Sequence, residues 1–338
     1  MITTHLNYDL SLRNTFAMKV SCGCFMEYDS ADDIPFLLSS IRKDIDIKHI
    51  GGGSNLLFTG DYPGVIVHSA IMGINEVGRD SSSVTLRVGS GVKMDDFILH
   101  ACSAGLWGVE NLSGIPGEVG ASAVQNVGAY GREAADTIVA VHAYDCDEHE
   151  FVTLSNEECH FGYRDSIFKR PDKKGCYIIH AVDYRLSTIP APDISYPALK
   201  SHFNSAPSTP MEVREAVIAI RDSKLPDPAV VPSAGSFFKN PVISPADFEN
   251  VKAAAPDADV PHYTVEGGIK VPAAWLIDKC GWKGQTRGNV AVWHLQPLVI
   301  VNPDRRATPG EVIALEKEII SSVKQRFGVT LTPEVEHI

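Results

Sequence analysis

At 338 residues the chain is longer than one hydrophobic core usually organises, so two or three domains are expected. A net charge of −12 excludes a general nucleic-acid binder, because neutralising phosphates needs a surplus of Lys and Arg; a local basic pocket for a small anion remains open. The seven scattered cysteines form neither a disulfide framework nor a zinc knuckle, and they fit a reducing cytosol.

In chain order, the opening MITTHLNYDLSLRNTF lacks the basic-then-apolar pattern of a signal peptide. Ser30 and the residues to Asp33 open a helix over ADDIPFLLSSIRK, and a shorter helix is expected at KMDDFILHACSAG. Two capping boxes with Pro at the first helical position follow: Thr209 with Glu212, and Thr308 with Glu311. The last helix places Val312, Leu315, Ile319, Ile320, Val323 and Phe327 on one face, and Gly328 stops it. Between the helices lie the β-rich runs GVIVHS, SVTLRVG, TIVAVHAYD, CYIIHAVDYRL, VAVWH and PLVIV, none long enough to span a bilayer. Strand pairs and single helices mix without a regular βαβ alternation, which predicts an α+β fold. Boundaries are expected near residue 70 and at a Pro-rich junction near 226. The Pro- and Ser-rich stretch 186–210 reads as a functional excursion.

Two segments are dense in small residues: GGGSNLLF (51–58) and NLSGIPGEVGASAVQNVGAYG (111–131). Such loops let backbone N–H groups approach an anion closely. Neither contains G-x-G-x-x-G or a P-loop, so a diphosphate would be held in another manner.

The stretch PSAGSFFKNP (232–241) sets a single hydroxyl, Ser236, behind a glycine and against two phenylalanines. Taken alone it suits a nucleophile, a helix cap or a proton donor. Likewise Arg164, in FGYRDSIF, and Glu334, in PEVEHI, read by themselves as an Arg–Asp pair and a solvated carboxylate.

The ordered set GGGSNLLF, GIPGEVGASAVQNVGAYG, FGYRDSIFK, KLPDP, AGSFFKNP, AAWLID and PEVEHI closely resembles the UDP-N-acetylenolpyruvoylglucosamine reductase family, from about Asn14 to the last residues. The resemblance implies a two-part FAD-binding module of the vanillyl-alcohol-oxidase type plus a smaller α+β substrate domain. The expected divisions are 1–70 and 71–225 for the two FAD-binding parts and 226–328 for the substrate domain, with 329–338 returning to the first. It implies FAD and NADPH as cofactors, a place in peptidoglycan precursor synthesis, a cytoplasmic location and a monomer. FAD would be held by Gly51, Gly52, Gly53, Ser54, Asn55 and Leu56, together with Ile115, Pro116, Gly117, Val119, Gly120, Ala121, Ser122, Asn126, Gly128, Ala129 and Tyr130.

The implied reaction reduces an enolpyruvyl ether to a lactyl ether. NADPH reduces the flavin first, and hydride then passes from flavin N5 to the terminal methylene of UDP-N-acetylglucosamine enolpyruvate. The resemblance gives Ser236 the role of general acid toward the resulting carbanion, Arg164 that of stabilising the enolate, and Glu334 that of orienting the enolic carboxylate. Tyr196 would close over the nucleotide sugar, and Lys224, Asn240, Lys283 and Gln296 would contact the uridine diphosphate. Many relatives carry a basic residue two positions after the glutamate; here Glu336 stands there, a rival to Glu334. A flavin oxidase of a sugar or alcohol, and a non-catalytic flavin or nucleotide sensor, are the competing expectations.

Overall fold

The computed structural model describes all 338 residues. Its contacts divide the chain into two compact units, one built from Met1–Tyr8, Cys22–Gly52 and Pro63–Arg221, the other from Asp9–Ser21, Gly53–Tyr62 and Asp222–Ile338. The expected boundary near 70 marks the passage from one sheet to the next, yet both of these sheets belong to the first unit.

In the first unit, a four-stranded sheet has the order Ile2–Asp9, Ser21–Tyr28, Tyr62–Ser69, Ile47–Ile50. A five-stranded antiparallel sheet follows, in the order Glu150–Ser155, Ile138–Asp145, Tyr177–Ser187, Ser83–Gly89, Ile74–Arg79. Val84, Leu86 and Val88 alternate inward from the Ser83–Gly89 strand and meet Phe97, Ile98 and Ala101 of the helix Met94–Ser103. Tyr184 is fully buried in this core; its ring lies 4.6 Å from that of Phe97, and its hydroxyl is 3.0 Å from the Ser122 hydroxyl. The phenol therefore keeps a partner out of water.

One face of the five-stranded sheet carries a charged cluster. Asp183 stands opposite Arg87, which grips it with two hydrogen bonds of 2.8 Å, and His142 Nε2 lies 2.9 Å from the same carboxylate. Burial pushes the Asp183 carboxyl up, but the hydrogen bonds from Arg87 and His142 outweigh it and hold the group at about 2. A carboxyl held below its ordinary value stabilises the fold above pH 3.8, and that contribution disappears as pH falls toward 2. We expect Asp183→Asn to cost about 2 kcal/mol near neutrality. The gap between variant and parent in urea midpoints should close between pH 4 and pH 2. An equal gap at both ends of that window would contradict the assignment.

The second unit holds a four-stranded sheet ordered Ser233–Ser236, Val299–Val301, Val290–Val292, Thr286–Arg287, and a three-stranded one ordered Val242–Ile243, Gly268–Lys270, Tyr263–Val265. The helix Pro309–Phe327 begins with the expected capping box of Thr308 and Glu311 and ends at Gly328, φ +73°. Its inner face differs from the expected one in one respect. Glu316 is buried, paired at 2.8 Å with His337, while Ile320 is only partly covered. The short strand Glu336–His337 lies parallel to Leu56–Leu57.

Candidate active site

The expected residues fall in both units. In the first, the glycine loops pack closely: a Cβ built on Gly52 would lie 3.6 Å from the Gly117 Cα, one on Gly51 would lie 3.0 Å from the Ala121 Cβ, and the Glu118 carboxylate stands beside both. Asp95 anchors the second loop by accepting the Gly114 N–H at 2.6 Å, and Arg214 holds Asp95 through two hydrogen bonds of 2.5 and 2.7 Å. Ile115 packs on the core, and Pro116 leads into Gly117. Gly128 and Ala129 pair with Glu133 and Arg132 around a two-residue turn at Tyr130, φ +49°, and Gly131, φ +88°. Two successive left-handed residues define the turn that matches strand twist, which accounts for the sequence AYG.

Several residues expected to face a cofactor turn toward the protein instead. Val119 is fully buried, and Gly120 lacks a side chain because a Cβ there would meet Ser90 at 2.8 Å. The Ser122 hydroxyl donates to the Val119 carbonyl at 2.7 Å. Asn126 spends its side chain on Glu133, the Gly162 carbonyl and the Ala135 N–H. Gly53, φ +64°, makes room for the Arg13 carbonyl, which a Cβ would meet at 2.1 Å. These side chains shape the loops rather than line them.

Arg164 sits at the tip of a tight turn closed by reciprocal hydrogen bonds between Gly162 and Asp165, of 3.0 and 3.1 Å. Its φ of +54° is a left-handed conformation that costs a non-glycine residue about 1–2 kcal/mol. Two contacts hold it there. Its guanidinium donates to the Gly128 carbonyl at 2.6 Å, and Lys169 Nζ donates to the Arg164 carbonyl at 2.9 Å and to Gln125 Oε1 at 2.6 Å. The arginine is thus bound to the second glycine loop at a fixed point.

Ser236 lies in the second unit, exposed at the end of a strand, so the helix-cap reading fails. Pairing with Val299–Val301 shifts register between Ser233 and Ser236, and Gly235 is left-handed at φ +71°. This is a β-bulge, which re-aims the following side chain. The next two residues, Phe237 and Phe238, are buried and fix the strand end. The Phe237 carbonyl accepts the Glu334 N–H at 2.9 Å, so the main chains bearing Ser236 and Glu334 are joined one residue from the serine. Asn55, expected at the cofactor, donates its side-chain amide to the Glu334 carbonyl at 3.2 Å. Ser54 is partly buried beside it, and Leu56 begins the strand that pairs with Glu336.

Of the expected substrate contacts, Tyr196 is in the first unit, its ring edge-on to Tyr130 at 5.3 Å, so the excursion rests on the AYG turn. Lys224 and Lys283 are exposed in the second unit, and the Lys224 carbonyl accepts the Trp293 indole N–H at 3.1 Å. Gln296 is partly buried. Asn240 Oδ1 accepts the Ala273 N–H at 2.9 Å and so caps the helix Ala273–Lys279.

Motif spacing misses two features. Glu118 reaches over Gly51 and Gly52, and His68 bridges it to Glu27, at 3.0 and 2.8 Å. Lys169, which carries the Arg164 turn, is the second. The bridge depends on partners 41 or more residues away, and Lys169, although inside the FGYRDSIFK motif, gives no sign in sequence that it bonds the Arg164 carbonyl and Gln125.

Known proteins match this arrangement. The C-terminal domain of UDP-N-acetylenolpyruvoylglucosamine reductase matches residues 227–338, and an FAD-binding domain matches 24–154. A Bacteroides fragilis UDP-N-acetylenolpyruvoylglucosamine reductase is 44% identical over 98% of this chain and 99% of its own. A Porphyromonas gingivalis one is 45% identical over 98% of each chain. The chain belongs to the UDP-N-acetylenolpyruvoylglucosamine reductase family. The crystal structure of the reductase from Thermus caldophilus, 22% identical, superposes with a TM-score of 0.69 over 100% of this chain and 98% of that one, which shows the reductase fold. The FAD-binding match spans both glycine loops; Gly51, Gly52 and Gly117 carry no side chains of their own, so their backbone N–H groups suit a diphosphate-bearing cofactor, with the Glu118 carboxylate beside them held by His68. No helix in this member of the reductase family is long and apolar enough to cross a membrane.

Proposed function

We propose that the chain reduces UDP-N-acetylglucosamine enolpyruvate to UDP-N-acetylmuramate, in the cytoplasm and as a monomer, for peptidoglycan precursor synthesis. The observation that carries this reading is similarity to named reductases at 44–45% identity over almost the whole of both chains. FAD, when bound, would supply the hydride chemistry, with NADPH as the reductant. Gly51, Gly52 and the Gly117–Ala121 backbone would hold its diphosphate.

The remaining work belongs to side chains. Hydride arriving at the methylene leaves an electron pair on the neighbouring carbon, spread into the carboxylate. Arg164 faces that charge with a planar guanidinium. Glu334 orients the carboxylate, a role we give to it rather than to Glu336 because it is the glutamate that matches the family motif in PEVEHI. Ser236 then donates its hydroxyl proton to the carbon, and the alkoxide recovers a proton from solvent. Tyr196 covers the nucleotide sugar, while Lys224, Lys283, Asn240 and Gln296 face its diphosphate and uridine, Asn240 through its amide N–H because its oxygen caps a helix.

The test is anaerobic. The holoenzyme is reduced with NADPH, the enolpyruvyl substrate is added, and visible absorbance follows the flavin. Prompt return of the oxidised band with one lactyl product per flavin is expected. A flavin that stays bleached until oxygen enters would support a sugar or alcohol oxidase instead.

A further inference from the structure

We propose that Asn55 is a positioning residue for Glu334, tying the first glycine loop to the carboxylate used in the second half of the reaction. The inference rests on the role given to Glu334 above. It starts from the strand pairing. Glu336 and His337 run parallel to Leu56 and Leu57, and the Glu336 N–H donates to the Asn55 carbonyl at 3.0 Å. Glu334 lies one rung before this short ladder, and its carbonyl is met by the Asn55 side-chain amide at 3.2 Å. Its N–H is taken by Phe237 at 2.9 Å. Both peptide groups flanking the Glu334 Cα are therefore held, and the side chain can pivot only about its own torsions.

A second support lies beyond the ladder. His337 Nε2 pairs with the buried Glu316 at 2.8 Å, and the His337 ring stands edge-on to Phe237 at 6.2 Å. The segment after Glu334 is thus pinned to the helix Pro309–Phe327 and to the residue next to Ser236. Asparagine suits position 55 because its side chain adds a second bond to the segment its backbone already holds, the carbonyl accepting from Glu336 and the amide donating to Glu334.

The test is a double-mutant cycle on the FAD-loaded enzyme. In Asn55→Ala, reoxidation by the enolpyruvyl substrate should slow about 10- to 100-fold relative to the rate of reduction by NADPH measured on the same FAD-loaded protein. In a Glu334→Gln background the same change should cost less than about threefold, because Asn55 acts through that carboxylate. Loss of FAD, equal slowing of both half-reactions, or a full additional cost in Glu334→Gln would overturn the proposal. Wild-type reoxidation in Glu334→Gln alone would overturn it by a separate route, by removing Glu334 from the chemistry. If Asn55→Ala fails to fold, His337→Ala carries the same cycle. It should slow reoxidation about 3- to 10-fold, non-additively with Glu334→Gln, and His337→Gln, which keeps a donor to Glu316, should recover most of the loss. Additivity there would equally overturn the proposal.

Discussion

Ser236→Ala is expected to separate the two half-reactions. Reduction by NADPH should proceed within about twofold of the parent rate, while formation of the lactyl product falls by about 10²- to 10⁴-fold, the usual span for a lost general acid. The reason is timing, since the hydroxyl is needed only after hydride has reached the substrate. The fold should survive the change. Ser236 is exposed at the end of its strand, and the bulge at Gly235 and the buried Phe237 and Phe238 do not depend on its oxygen. Stopped-flow absorbance at the flavin band, with product quantified after a single turnover, reads both rates. Equal slowing of flavin reduction would remove Ser236 from the proton-donor role.

Arg164→Met is expected to slow the same half-reaction by about 10²- to 10³-fold, the range measured for losing one donor to a developing oxyanion. Arg164→Lys should restore little of it, because an ammonium cannot present a planar fork to the carboxylate and cannot at the same time reproduce the bond to Gly128. The backbone argues in the same direction. A left-handed arginine is costly to keep, yet Lys169 clamps its carbonyl and the second glycine loop clamps its guanidinium. Flavin content and thermal midpoint serve as controls for loop damage. An unchanged single-turnover rate in Arg164→Met would take the residue out of the chemistry.

Where the chain announces itself by local rules, the sequence was readable. The capping box at Thr308 and the stop at Gly328 stand where expected, and the β-branched runs at 83–89, 138–145 and 177–187 are strands. The strand Ile2–Asp9 was not foreseen. Most of its side chains are exposed, so it carries no period-two pattern, and its partner Ser21–Tyr28 is built on Ser, Cys and Gly rather than β-branched residues. The site divides along similar lines. Ser236, Arg164 and Glu334 stand out only through the resemblance, because an isolated serine or Arg–Asp step has commoner explanations. Supports such as Lys169, the Glu27–His68–Glu118 bridge and the second duty of Asn55 could not be read from spacing at all. Apart from the bond of Lys169 to the Arg164 carbonyl, five residues away, their partners are brought close by the fold alone, across separations of 41 to 279 residues. The same distance effect explains why glycines that look alike in sequence differ in purpose, Gly53 yielding to a backbone carbonyl while Gly52 faces Gly117.

The three-part make-up of the second unit has a consequence for how the chain folds. Residues 9–21 and 53–62 belong with Asp222–Ile338, and Leu56–Leu57 pair with residues that are synthesised some 280 positions later. During synthesis these early stretches have no native partners until almost the whole chain has emerged, whereas the sheets of the first unit can close much sooner. Such high contact order makes for slow, late completion. The peptide groups that hold Glu334 are among the last to form, so a nascent or truncated chain would have a formed first unit before its second unit is complete. Limited proteolysis of stalled chains should find the segments around 9–21 and 53–62 cleavable well after the first unit has become protected.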